Sequence, residues 1–234
     1  MTSTSTLAVL SREMVNMRKV AIVIPHGDDE ALGFGGAILH HLSKGDHVTL
    51  VACRGPHDDR TTKQLLDTVA AKEILGYHDI KYLYVTEKEI SNEPLKLFRA
   101  IEECLDSINP DTVYTSFWGD IHQDHRIVYD CVARAVRIWG PLKVSQFFVG
   151  EIPSSTDQAP HILANAFLPN YYIPLTEQTL QKKIQAMQCY TTEIKESSHP
   201  RSPEGIRVLA KMRGIECKHT YAEALVCLRN IIPL

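Results

Sequence analysis

The chain has no apolar run near the ~20 residues that a membrane-spanning helix needs, so no transmembrane segment is expected. It has little excess of either charge: Lys and Arg number 25 against 28 Asp and Glu, for a formal net charge of -3. Without clustered basic residues, neither nucleic acid nor an anionic membrane surface is an expected partner. The six cysteines (Cys53, Cys104, Cys131, Cys189, Cys217 and Cys227) contain no CxxC pair. Most of them sit inside apolar periodic segments, which reads as small buried hydrophobes rather than a disulfide framework or a cysteine-built metal site. The opening residues hold only a four-residue apolar run, Leu7 to Leu10, and their positive charges follow it. A secretory signal has the reverse order and a longer apolar core, so the expected location is cytoplasmic. No repeat, low-complexity stretch or linker appears, and residues 1–234 are expected to form a single domain.

What is present is an alternation. Hydrophobic residues make up 44% of 234, ample for a core. Apolar β-rich runs at Lys19–Ile24, His47–Cys53, Lys81–Val85, near Thr112 and after Pro141 alternate with helical patterns. The helices are expected from PHGDDE to about Ser43, and over about Thr61–Leu75, Glu93–Ile108 and Asp124–Ile138. Gly45 and Gly76 act as helix stops. A proline-rich loop follows from Glu151 to Pro169, then a strand near Tyr171 and helices near Thr176–Tyr190 and Pro203–Gly214. This is the pattern of an α/β, Rossmann-like, doubly wound and mostly parallel sheet, order about 3-2-1-4-5, with helices on both faces.

Two segments carry the chemistry: His26-Gly27-Asp28-Asp29-Glu30 after the first strand and His122-Gln123-Asp124-His125 after the fourth. Ligands of such sheets bind outside the carboxyl ends of the strands, where the strand order reverses. Strands one and four flank that point, so loops nearly a hundred residues apart converge on one crevice. His26 and Asp29 can share one side of a helical turn, and His125 can complete a set of two histidines and a carboxylate. Three protein ligands leave a position open, as catalytic rather than structural zinc does. Asp28 then remains as a proton acceptor, His122 as a donor to a developing oxyanion, and Asp124 as the carboxylate that orients a histidine. Together they describe metal-assisted hydrolysis of an acyl bond.

PHGDDEALGFGG followed by DIHQDH, KKIQAMQCY and the closing YAEAL resembles the LmbE-like, or PIG-L, family of zinc deacetylases over nearly the whole chain. That family includes N-acetylglucosaminyl-phosphatidylinositol deacetylases and deacetylases of mycothiol and bacillithiol synthesis. The resemblance implies Zn²⁺ held by His26, Asp29 and His125, Asp28 as general base and His122 as electrophilic histidine. It also implies that Arg60 holds a small N-acetylated sugar substrate. Two departures stand out: Gly27 replaces a usual proline, and Thr191-Thr192 replaces a frequent Ser-Gln pair.

The substrate rim is expected to hold Arg60, Asp120 and the His57-Asp58-Asp59 loop, with Glu151–Pro169 as a wall; for Asp120 and Trp118 an equal reading is that they merely shape the loop. Plainer readings apply elsewhere. Seven other histidines, His41 and His161 among them, read as solvated or hydrogen-bonded surface residues, and Glu30 as an anion favouring a helix N-terminus. Gly33, Gly35 and Gly36 fail the GxGxxG pattern and read as close helix packing. The rivals are a 2-His-1-carboxylate iron oxygenase, a silent sugar-binding module, and an amidase for a thiol conjugate. The oligomeric state stays open, a homo-oligomer included.

Overall fold

The computed structural model describes residues 17–55, 58–160 and 162–232. The opening segment behind the localisation reading, and the histidines His57 and His161, lie outside them. Seven strands form one sheet: β1 (Lys19–Ile24), β2 (His47–Arg54), β3 (Asp79–Val85), β4 (Thr112–Ser116), β5 (Gln146–Gly150), β6 (Tyr171–Leu175) and β7 (Tyr221–Asn230). Their order is β3-β2-β1-β4-β5-β7-β6, parallel from β3 to β5, with β7 antiparallel to both its neighbours. The helices are α1 (Asp29–Ser43), α2 (Asp59–Leu75), α3 (Glu87–Asn92), α4 (Pro94–Ile108), α5 (Gln123–Ala135), α6 (Glu177–Cys189) and α7 (Pro203–Glu216).

The expected order 3-2-1-4-5 holds, and its cause is visible in β1. Val20, Ile22 and Ile24 belong to one core cluster with residues of α1, α2, α6 and α7, while Ala21 and Val23 belong to the other with residues of α3, α4 and α5. All five are fully buried. A strand buried on both faces must be apolar at every position, as a central parallel strand is. Gly76 closes α2 in the left-handed region at φ 86°, and its N–H bonds the carbonyl of Lys72 at 2.7 Å. A Cβ on Gly33 would lie 2.5 Å from Ile152, and one on Gly36 2.8 Å from Leu175. These glycines serve close packing, as expected, although their neighbours come from the β5 exit and β6.

Three differences from the sequence reading are instructive. Strand β7 was not expected, because Ala-Glu-Ala-Leu favours a helix by propensity. Glu223 makes it a strand residue by context. Its carboxylate accepts the N–H groups of Gly36 and Ala37, both at 2.8 Å, and pairs with buried Lys183. Helix α3 was also missed, although Thr86 and Glu89 form a capping box at its start. Finally, α5 ends at Ala135 rather than Ile138, and β5 begins only at Gln146.

Candidate metal centre

Strands β1 and β4 run side by side in parallel, Val23 opposite Thr115, so their carboxyl ends deliver two loops to one place. The first passes through His26 and Gly27 to Asp28 at the N-cap of α1. Gly27 has a local reason: a Cβ there would stand 2.5 Å from Thr68 Oγ1 on α2. The second loop ends at His122, which caps α5 by accepting the Asp124 N–H on Nδ1 at 3.2 Å. With Nδ1 an acceptor, the neutral ring of His122 carries its proton on Nε2.

Both inner histidines are held from behind by a carboxylate. His26 Nε2 lies 3.0 Å from Asp124 Oδ2, and His125 Nδ1 lies 3.0 Å from Asp120 Oδ2. Their other nitrogens, His26 Nδ1 and His125 Nε2, each stand 3.5 Å from the same atom, Asp29 Oδ2. Ligand bonds of ~2.0–2.1 Å in a tetrahedron put donor atoms about 3.3–3.4 Å apart, so these edges suit one small cation. Carboxylates on the far nitrogens are the usual support of ligating histidines. A second grouping, His26 with His122 and Asp124, also brings its donors within 4.8 Å. It would spend the Asp124 carboxylate that already bonds His26, so the first grouping fits better.

The electrostatics favour a cation. Burial alone would lower the His26 imidazole, but hydrogen bonds to Asp124 and Asp29 and the charges of Asp29 and Asp28 raise it to about 10. Burial would raise Asp29, yet His125 and His26 hold it well below the usual carboxylate range. Burial and the Asp29 charge push Asp28 up to about 6, against the pull of Arg201 and His26. His122 is lowered by burial and by the neighbouring His26 and His125. Carboxylates thus crowd a small space, and a divalent ion would relieve that crowding.

Five expectations need correction or placement. Asp120 is buried rather than at a substrate rim: it is 1% exposed, and four protein groups claim its oxygens. They are the His122 N–H at 2.7 Å, His125 Nδ1, Thr156 Oγ1 at 2.7 Å and the Ser155 hydroxyl. Glu30 does lie in the first turn of α1, but it is buried: burial lifts its carboxyl well above the usual range, and its Oε1 accepts the Tyr190 hydroxyl at 2.5 Å. His41 is no surface residue either, being 5% exposed. Arg60 lies in the first turn of α2, at the expected end of the sheet, but its side chain is outside the described residues. Asp58 serves as N-cap of that helix, accepting the Thr61 N–H at 2.7 Å.

Sequence reasoning missed Arg201, which donates to Asp28 Oδ2 at 2.8 Å. It also missed Ser155 and Thr156 within the proline-rich segment. The first residues of that segment and α7 enclose a cavity of about 420 Å³, lined by Ile152, Thr156, Val208 and Met212 among others, and its lining includes none of His26, Asp28, Asp29, His122 and His125. No motif marks these residues; a polar residue in an aperiodic loop gives no positional signal.

Fold and site together define a class: doubly wound α/β proteins with a His–Asp–His cluster at the switch point. Comparison with known proteins narrows it. Residues 21–136 match the model of the PIG-L family, GlcNAc-PI de-N-acetylase. A Bacillus anthracis protein described as "Probable N-acetyl-alpha-D-glucosaminyl L-malate deacetylase 2" is 26% identical over 200 residues, 78% of this chain and 87% of that one. The N,N'-diacetylchitobiose deacetylase of Pyrococcus horikoshii shares the fold at TM-score 0.72 and 17% identity, over 94% of this chain and 87% of that one. So does the 4-carboxy-2-hydroxymuconate hydratase GalB of Pseudomonas putida, at TM-score 0.70 and 18% identity, over 93% and 99%. The fold therefore carries more than one chemistry, and function must be argued from the site. Among the described residues, no helix is long and apolar enough to cross a membrane.

Proposed function

We propose that this chain is a zinc-dependent N-deacetylase that hydrolyses the acetamide of a small N-acetylated amino sugar. The observation that carries the reading is the pair of 3.5 Å distances from Asp29 Oδ2 to His26 Nδ1 and His125 Nε2, with Asp124 and Asp120 behind the two rings. His26, Asp29 and His125 would hold the ion. The chemistry a zinc ion supplies in such a site is Lewis-acid activation of water and of an acyl carbonyl.

The remaining residues have matching roles. Asp28 accepts a proton from the attacking water. As the carbonyl carbon becomes tetrahedral, charge gathers on its oxygen, and the Nε2–H of His122 donates to it. His122 is exposed, whereas Asp29 and His125 are buried, which supports a role toward an arriving substrate. When the C–N bond breaks, the proton held by Asp28 passes to the departing nitrogen. The products are acetic acid, which ionises to acetate, and the amine, which takes up that proton, with no net change in the protein.

The substrate reading is an N-acetylglucosamine conjugate bearing an anionic or polar substituent, which agrees with the N-acetylglucosaminyl malate named for the B. anthracis relative. Arg60, whose backbone lies in the first turn of α2, would supply a guanidinium, which suits a carboxylate or phosphate on that substituent. An iron oxygenase would leave Asp28 and His122 without a task.

The test is acetate release by the purified zinc-loaded protein from a panel. It comprises free N-acetylglucosamine, its glycosides with carboxylate or phosphate aglycones, an acetylated thiol conjugate and an acetylated lysine peptide. Release from the anionic glycosides, with free sugar poor, supports the reading. Activity confined to the thiol conjugate or peptide rejects the substrate class, and no amide hydrolysis at all rejects the function.

A further inference from the structure

The loop between α6 and α7 reaches across the site. Arg201, half-buried, donates from Nη1 to Asp28 Oδ2 at 2.8 Å and to Glu193 Oε2 at 3.4 Å, and from Nε to Ser154 Oγ at 2.6 Å. One guanidinium thus joins the loop after β1, the loop after β5 and the loop after α6. Among the described residues it is the only side chain that bonds Asp28, whose carboxylate makes no capping bond to its own helix.

The surrounding backbone is built to hold it there. Ser154, which receives Nε, has φ 72°, and Ser198 has φ 74°. Non-glycine residues in the left-handed region carry a conformational cost that a fold keeps only where its surroundings enforce it. The Arg201 N–H bonds His199 Nδ1 at 3.1 Å, and the next residue, Ser202, is the N-cap of α7. A Cβ on Gly205 would lie 2.4 Å from the His199 carbonyl oxygen, so α7 closes tightly onto this turn. Strain, cap and close approach all fix the stem of one arginine whose tip rests on one carboxylate oxygen.

We infer that Arg201 is a positioning residue for the reaction, one that fixes the rotamer of Asp28 by holding Oδ2 and leaves Oδ1 to accept the proton. The inference rests on the reading of Asp28 as the general base. It does not make Arg201 a substrate anchor, because Asp28 and Glu193 already balance its charge. A two-pronged donor suits this task, since one prong is held by Ser154 while the other holds the base.

A double-mutant cycle tests it. Arg201→Met should lower kcat roughly 10–100-fold, the usual loss when a support of a reacting group is removed, with KM and zinc content little changed. Arg201→Lys should recover part of the loss, and Ser154→Ala should show a smaller fall of the same kind. In an Asp28→Asn background, Arg201→Met should cost nothing further, because the arginine acts only through that carboxylate. A crystal structure of Arg201→Met should show Asp28 turned or in more than one rotamer. An equal further loss in the Asp28→Asn background, a pure KM effect, or an unmoved Asp28 would overturn the inference. If wild-type protein hydrolyses no amide, the functional reading fails by itself, while the Asp28 rotamer still decides the positional claim. Should Arg201→Met not fold, Ser154→Ala and Arg201→Lys carry the same readouts.

Discussion

Two buried histidine–aspartate pairs lie at opposite ends of the sheet, and they differ in one nitrogen. At the amino ends of the strands, His41 has both ring nitrogens satisfied: Nδ1 lies 2.6 Å from Asp46 Oδ2 and Nε2 2.8 Å from the Tyr114 hydroxyl. At the carboxyl ends, His125 has Nδ1 on Asp120 at 3.0 Å, while Nε2 faces Asp29 at 3.5 Å, beyond a normal hydrogen bond. The first pair ties α1 to β4 and asks for nothing more. The second leaves a donor atom aimed at a site with two more donor atoms around it. A buried histidine is therefore read by its second nitrogen, not by its carboxylate partner.

That contrast gives the largest expected effect. His125→Ala should reduce zinc to background and abolish turnover, and His26→Ala and Asp29→Ala should do the same. His41→Ala should leave zinc stoichiometry and kcat intact but lower the melting temperature. It leaves buried Asp46 and Tyr114 oxygens unpaired, at a cost of about 1–3 kcal/mol. Metal analysis beside a thermal melt separates the two. If His41→Ala lost metal with its fold intact, the distinction drawn between the poles would be wrong.

Asp28→Asn should come next, keeping zinc while kcat falls ~10²–10⁴-fold, the span typical of general-base removal. An active Asp28→Asn enzyme would move the base elsewhere. His122→Ala should lower kcat ~10²–10³-fold with little change in KM, since its donor acts on charge that appears only in the transition state. A change in KM alone would make His122 a substrate contact. Asp120→Asn should weaken zinc affinity ~10–100-fold, as removal of a carboxylate behind a ligating histidine does; a competitive chelator titration measures it. An unchanged affinity, with a poorer KM instead, would return Asp120 to the substrate rim.

The smallest effect is a pH dependence at the far pole. Burial lowers the His41 imidazole below its usual 6.5, although Asp46 partly opposes this. The unfolded chain then binds the proton more readily, so stability falls as pH drops from about 6.5 through the lower folded value. His41→Gln should flatten that slope in denaturant melts without moving the pH profile of turnover. A slope that survives the substitution would have to arise in another group.

Much of this was legible in the sequence, for physical reasons that also explain the rest. Val20 to Ile24 had to be central because every side chain is apolar, and the two His/Asp motifs had to meet because strands one and four adjoin at the switch point. Asp120 deceived because spacing places a residue on a loop without saying which way it faces. Ser155 and Thr156, more than thirty residues on, turn it inward. Arg201 was invisible for a similar reason: its bond to Asp28 spans 173 residues and starts from a loop with no periodicity. Strand β7 was hidden because Glu223, a residue of helical habit, is held in the sheet by partners on α1 and α6.

The central claim is that His26 Nδ1, Asp29 Oδ2 and His125 Nε2 hold one ion. The most direct measurement is a crystal structure of the zinc-reconstituted protein with anomalous data collected across the zinc edge. The account predicts one ion per chain on those three atoms, with zinc–nitrogen bonds of ~2.0–2.1 Å and Asp124 and Asp120 still behind the two rings. An ion bound through His122 and Asp124 instead, or no ion at the switch point at saturating zinc, would contradict it.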